Sequence, residues 1–231
     1  MQAGDMVEEL QQRIMEVQSR IELAAQRSGR SSQDITLLAV SKTVDNTTVD
    51  QAYDLGIRDF GENRVQEFAS KIHSVPQARW HFIGRLQSNK VKDVVGHAFL
   101  IHSVDRWSLA QELDKRGQYL EVSVPVLLQV NISGEESKTG LHAGEVESFL
   151  QSVGELKSLR VMGFMTIAAL NSEPEESRPI FRELAALKNK VHSKNFTNVE
   201  LNYLSMGMSQ DYEIAIEEGA NIVRIGSALF I

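Results

Sequence analysis

The 231-residue sequence contains no cysteine. Disulfides, thiolate catalysis and cysteine-ligated zinc or iron–sulfur centres are excluded with it, and the absence agrees with a reducing compartment. No run approaches the ~20 apolar residues of a membrane-spanning helix. The opening stretch MQAGDMVEELQQRIMEV is polar and acidic and lacks the basic-then-apolar order of a secretory signal, so a cytoplasmic location is expected. Excess positive charge is also missing. With 24 Lys and Arg against 31 Asp and Glu, the formal net charge is −7, and neither nucleic acid nor an anionic membrane is an expected partner. The histidines, at positions 73, 81, 97, 102, 142 and 192, show no metal-ligand spacing such as H-E-x-x-H and no Ser-His-Asp order. No Pro/Ser-rich linker, low-complexity tract or short-period repeat divides the chain, which predicts one domain over residues 1–231.

What the sequence does have is alternation. Short runs rich in β-branched or aromatic residues occur at Thr36–Ser41, Arg58–Gly61, Trp80–Gly84, Phe99–Val104, Val124–Asn131, Leu159–Ile167, Glu200–Ser205 and Asn221–Gly226. Amphipathic stretches separate them: one around Val49, Ala52 and Tyr53, one with Val65, Phe68 and Ile72, and a short one with Val91, Val94 and Val95. Others follow Asp105 as a cap, carry Phe149 and Leu150, or align Phe181, Leu184 and Val191. The last begins near Ser209 and stops at Gly219. An N-terminal helix is predicted from Leu10, Ile14, Val17 and Ile21, with Asp5 and Glu8 as a capping box and Gly29 as its stop. Eight strands alternating with helices predict a (β/α)8 barrel with an extra N-terminal helix; a doubly wound open sheet is the competing topology. The loop NSEPEESRP, residues 171–179, is expected at the surface.

In such a barrel, ligand chemistry gathers where strands end and helices begin. Lys42 ends the apolar run Leu37 to Val40 in DITLLAVSKTVDN, a place where a buried chain avoids an ammonium group. By itself it reads as a lysine reaching to water at the rim. Turned inward and partly desolvated, it is an amine able to form a Schiff base. In YLSMGMSQD, Gly207 and Ser209 could gather amides and hydroxyls around an anion, although on this stretch alone a βα loop with an ordinary serine N-cap is the preferred reading. In VRIGSALF, Gly226 and Ser227 follow the final strand, where barrels often bind phosphate. Arg224 lies inside that apolar strand and requires a partner: a ligand ring nitrogen or carboxylate, or an internal ion pair with Glu62 or Asp211. Amine, anion cradle and buried arginine describe a site for an aldehyde carrying a phosphate, either pyridoxal 5′-phosphate or a phosphorylated sugar in a lysine aldolase. SGEESKTG, residues 133–140, is superficially like a Walker loop, but no glycine precedes Lys138; it reads as a glycine-bearing loop that adds Lys138 to the rim.

The segments LLAVSKT, FGENRVQE, WHFIGRLQSNK, VNISGEESKTG, MGFMTI, LSMGMSQDYEIAI and VRIGSALF, in order from residue 37 to 230, closely resemble the pyridoxal phosphate homeostasis protein family, the YggS-like proteins. The resemblance implies a single-domain TIM barrel of the alanine racemase N-terminal type, with the cofactor as an internal aldimine on Lys42. It places Ser209, Gly226 and Ser227 on the phosphate, Arg224 on the pyridine nitrogen, and Asn63 and His81 in the pocket wall. It further implies a carrier in vitamin B6 homeostasis and not a strong enzyme. An arginine at the ring nitrogen leaves it unprotonated, a weaker electron sink than an acidic partner gives. Racemases of this type add a β-rich domain with a catalytic tyrosine, which this sequence, ending at Ile231, lacks. A weak amino-acid racemase and a Schiff-base aldolase are the enzymatic alternatives. A monomer is expected, with pyridoxal phosphate, cofactor-dependent apo-enzymes or a regulatory protein as partners. The sequence departs from the family pattern at Val44 and Asp45, where Lys-Pro is frequent, and at Arg85, where His is common.

Overall fold

The structure, a computed structural model, describes residues 3–135, 138–168 and 173–231. Its chain starts with a long helix, α1 (Ala3–Arg27), which buries Leu10, Ile14, Val17, Ile21, Ala24 and Ala25 along one face. Gly29, at φ +68°, turns the chain out of this helix as expected. The helix starts before Asp5, so Asp5 and Glu8 lie inside it and do not bracket its start.

The strand and helix order then follows the sequence alternation: β1 (Thr36–Val40), α2 (Asn46–Asp54), β2 (Asp59–Glu62), α3 (Val65–Lys71), β3 (Arg79–Phe82), a 3-10 turn (Ser88–Asp93), β4 (Leu100–Val104), α4 (Trp107–Leu120) and β5 (Val124–Asn131). A two-residue strand, β6 (Leu141–His142), pairs with the end of β5. After it come α5 (Val146–Val153), β7 (Leu159–Met165), α6 (Arg178–His192), β8 (Val199–Ser205), α7 (Tyr212–Glu217), β9 (Ile222–Ile225) and the single-turn α8 (Ser227–Phe230). Eight parallel strands close into a barrel in the order β1, β2, β3, β4, β5, β7, β8, β9, with β9 back on β1. The barrel expectation therefore holds and the open sheet does not. Of the loop at residues 171–179, Asn171 and Ser172 lie outside the described residues; Pro174–Ser177 form a 3-10 turn leading into α6.

Two cores result. The larger, between strands and helices, stacks Phe60 on Trp80 with ring centroids 5.3 Å apart and sets Phe68 edge-on to both Trp80 and Phe82. The smaller lies inside the barrel and consists of Leu38, Leu100, Leu127, Met165 and Ile222. The sides follow from strand alternation: Gly61 faces inward against Leu38, so its register partner His81 does too. The barrel interior thus combines a small apolar plug with buried polar residues, among them Asp59, His81, His102, Ser205 and Arg224.

Helix α1 packs outside the barrel against α7 and α8. Arg20 and Arg27 pair with Glu213, Arg27 also with Glu217, and Arg178 and Arg182 reach Glu218 from α6. No helix among the described residues is long and apolar enough to cross a membrane, and they hold no cluster of three or more His, Cys, Asp or Glu that could bind a metal ion.

Candidate cofactor site

A cavity of about 500 Å³ opens at the C-terminal ends of the strands. Its walls include Lys42 after β1, Asn63 after β2, Ile83 and Gly84 after β3, Gln129 on β5, Ser209 and Asp211 after β8, and Arg224, Gly226 and Ser227 in and after β9. Six of the seven residues expected at the site thus meet in one space, and its volume suits a small organic ligand. The seventh, His81, does not line it. Its ring is buried deeper in the barrel, bonded through Nε2 to Asp59 (3.0 Å) and through Nδ1 to His102 (2.9 Å).

Each wall residue is held by its local fold. Lys42 is the second residue beyond β1, with its side chain exposed at the cavity mouth. The preceding residue is firmly fixed. Ser41 Oγ donates to Glu62 (2.6 Å), and the buried Lys71 ammonium donates to both the Ser41 carbonyl (2.7 Å) and Glu62 (2.8 Å). The same Glu62 precedes Asn63, so one buried ion pair ties together the strand ends that present Lys42 and Asn63. Gly84 lies against the Asn63 backbone so closely that an added Cβ would sit 2.0 Å from the Asn63 carbonyl oxygen.

The anion cradle is built differently from expectation. Ser209 does not cap α7, which starts at Tyr212. Its Oγ instead accepts the backbone N–H groups of Gly226 and Ala228, both at 3.3 Å. A hydroxyl and two amides from the last two βα loops therefore converge, a donor set suited to a phosphate. Asp211 braces this loop by accepting the Met208 N–H (2.7 Å) and the Ser177 hydroxyl (2.9 Å). Gly207, at φ +91°, makes the bend possible; a Cβ there would lie 2.6 Å from Ala215 Cβ.

Arg224 pairs with neither Glu62 nor Asp211. It donates to Ser205 Oγ (2.7 Å) and to the Thr166 carbonyl (2.9 Å), both neutral acceptors. Burial pushes its pKa down to about 10, with Asp211 opposing, so the guanidinium stays charged at neutral pH. This near-isolated cation in the cavity wall is a donor looking for an acceptor, such as an unprotonated ring nitrogen.

Two contributors escaped the sequence reading, and a third, Asp211, was expected only as a partner for Arg224. Gln129 lines the cavity while bonding the Thr139 carbonyl and hydroxyl (3.1 and 2.9 Å), the backbone of Ala228 completes the cradle, and Asp211 positions the loop. The glycine-bearing loop after β5 is organised by Asn131, whose amide donates to the carbonyls of Glu135 and Lys138; Glu136 and Ser137 lie outside the described residues. Lys138 pairs with Glu135 (2.7 Å) and lines a smaller pocket that shares Gln129, Thr139 and Ile167 with the main cavity.

Comparison with known proteins fits this architecture. The family described as alanine racemase, N-terminal domain, matches residues 15–231. The chain belongs to this family. Within it, the chain is 44% identical over 221 residues to the pyridoxal phosphate homeostasis protein of Aquifex aeolicus, covering 95% of this chain and 96% of that one. Identity to the Escherichia coli K12 protein of the same name is 40% over 227 residues, 94% of each chain. The solved structure of PipY from Synechococcus elongatus with PLP bound superposes with a TM-score of 0.81 at 34% identity, covering 93% of this chain and all of that one. This family member therefore resembles proteins named for pyridoxal phosphate homeostasis along nearly its full length.

Proposed function

We propose that this chain binds pyridoxal 5′-phosphate on Lys42 and retains or releases it in vitamin B6 homeostasis without turning over a substrate. The observation that carries this reading is the convergence on one cavity of an amine, a buried arginine donor and a hydroxyl-plus-amide cradle. The groups match the three polar features of the cofactor: Lys42 its aldehyde, Arg224 its ring nitrogen, and Ser209 with the Gly226, Ser227 and Ala228 segment its phosphate. Asn63 and Gln129 line the wall between them. When bound, the cofactor offers an electron sink to an attached amine. Arg224 weakens that sink, because a permanent donor at the ring nitrogen keeps a proton off it.

The wall is also poor in groups that move protons. Among the described residues it contains no His, Cys or Tyr, and its one acid, Asp211, spends both carboxylate oxygens on Met208 and Ser177. That supports a carrier over a racemase or an aldolase. A cytoplasmic site of action and transfer to cofactor-dependent apo-enzymes belong to the same reading.

The test is spectroscopic. Purified protein mixed with pyridoxal 5′-phosphate should gain a visible absorption band that borohydride removes, leaving one covalently labelled site at Lys42. Lys42→Ala should lose the band. A reducible adduct that persists in this variant, on Lys138 for example, would refute the assignment of the amine. Rapid solvent deuterium exchange at Cα of added amino acids would refute the carrier reading; none above the rate of free cofactor is expected.

A further inference from the structure

A continuous file of hydrogen bonds crosses the barrel interior behind the cavity. Arg79, at the entrance of β3 with an exposed side chain, donates from Nε (2.7 Å) and from its terminal nitrogen (2.5 Å) to Asp59. Asp59 contacts His81 Nε2, His81 Nδ1 contacts His102 Nε2, His102 Nδ1 contacts Ser205 Oγ (2.9 Å), and Ser205 Oγ contacts Arg224. Every member between Asp59 and Arg224 is buried. The file passes from β2 to β3, β4, β8 and β9, so its members come from five strands.

The protons in it have only one arrangement. The Asp59 carboxylate can only accept, so His81 carries its hydrogen on Nε2. A neutral His81 then accepts at Nδ1, so His102 donates from Nε2. A neutral His102 accepts at Nδ1, so the Ser205 hydroxyl donates to it and offers its lone pairs to Arg224. Both rings are held neutral by burial, which lowers their pKa values; for His102, the neighbouring His81 and Arg224 lower it further. Each bond requires the polarity of the one before it.

We propose that Asp59, His81, His102 and Ser205 are positioning residues whose directional hydrogen bonds orient the Arg224 guanidinium and so set how firmly it meets the ring nitrogen of the bound cofactor. This rests on the functional reading above, but the proton arrangement can be measured on cofactor-free protein. His81 is thereby given a role: it acts on the cofactor only through Arg224. Arg224 has two fixed contacts, Ser205 Oγ and the Thr166 carbonyl. Only the Ser205 contact depends on the file, so breaking the file should loosen the guanidinium without expelling it.

Two substitutions at His81 separate positioning from packing. In His81→Gln, the amide N–H group can donate to Asp59 while its oxygen accepts from His102, preserving the polarity. In His81→Phe the ring volume is kept and both bonds are lost. First, nitrogen-15 NMR of the cofactor-free wild type should show His81 and His102 as neutral Nε2–H tautomers at pH 7. A charged ring or an Nδ1–H tautomer at either position would overturn the proposal whether or not the cofactor binds. Second, His81→Phe should weaken pyridoxal phosphate binding about three- to tenfold, the range one lost hydrogen bond gives, and should shift the absorption maximum of the bound form. His81→Gln should restore both. If Phe and Gln give the wild-type spectrum and affinity, the file does not position Arg224. If wild type itself forms no adduct while the tautomers are as stated, the functional reading fails and the proton file stands.

Discussion

At the scale of single residues, chemistry was legible where a polar group interrupts an apolar run. Lys42 after Leu37 to Val40 and Arg224 between Val223 and Ile225 both stand out for this reason, and both line the cavity. His81 also interrupts apolar neighbours, Trp80 and Phe82, yet it sits below the cavity, because a strand pattern tells which side a residue faces but not how deep it lies. Ala228 was invisible, since it acts through its backbone, and Asp211 acts on a loop before it acts on a ligand. Lys71 was unremarkable in the sequence: a lysine at the end of a predicted helix reads as solvated. In the structure it is buried against Glu62, and the second Glu62 carboxylate oxygen, Oε2, has no hydrogen-bond partner. Lys71→Met therefore strands a buried carboxylate and should cost about 3–5 kcal/mol in denaturant unfolding. Adding Glu62→Gln should recover most of that, because the pair itself contributes little net stability. A loss below about 1 kcal/mol in the single variant would show that water reaches Glu62.

At the scale of elements, all eight barrel strands were legible, with ends within one or two residues of expectation, because β-branched and aromatic runs report local burial directly. Helix caps were less so. Asp105 was expected to start α4, but its carboxylate is taken by Arg106 (2.5 Å) and α4 has no side-chain cap. Ser209 was drawn away from α7 in the same manner, by amides from a loop distant in sequence. A capping preference is worth about 1 kcal/mol, so a tertiary partner readily overrides it. Two substitutions test what holds these elements. Gly207→Ala must accommodate a positive φ and a close approach to α7, and should cost about 2–4 kcal/mol while weakening cofactor phosphate binding more than adduct formation with pyridoxal, which has no phosphate. Retained phosphate preference would show that Ser209 keeps its place without the glycine. Arg178 joins α6 to α7 through Glu217 and Glu218 and also pairs with Glu175. Arg178→Ala should lower stability by about 1–2 kcal/mol in dilute buffer and by less in 1 M salt, since these partly exposed pairs are screened. An equal loss at both salt concentrations would assign the effect to packing.

At the scale of the whole molecule, closure was the least legible feature, because pairing of β4 with β5 and of β9 with β1 depends on accumulated strand tilt and not on any local run. Closure has a consequence for pH. It seals His81 and His102 among Leu38, Leu100, Leu127, Met165 and Ile222, where the charged groups facing them are Asp59, Arg79 and Arg224. Both histidines have folded-state pKa values below the ordinary 6.5, so as pH falls below 6.5 the unfolded chain takes up protons that the folded chain refuses. Stability from this source is complete above about pH 6.5 and is lost as pH falls toward the folded-state values. Each histidine gives a limiting slope of about 1.4 kcal/mol per pH unit, about 2.7 together, while both stay neutral in the folded state. Asp59 adds to this at lower pH. Burial alone would raise its pKa, but the bonds from Arg79 and His81 outweigh burial and hold it low, so its share is present above the ordinary carboxylate range and lost below it. Denaturant unfolding from pH 7.5 to 4.5 should therefore show a falloff that starts near pH 6.5, well before the carboxylates titrate. In His81→Gln, which keeps the hydrogen-bond order but removes one titrating ring, the slope between pH 6.5 and 5.5 should drop to about half. An unchanged slope would place the proton uptake elsewhere in the molecule.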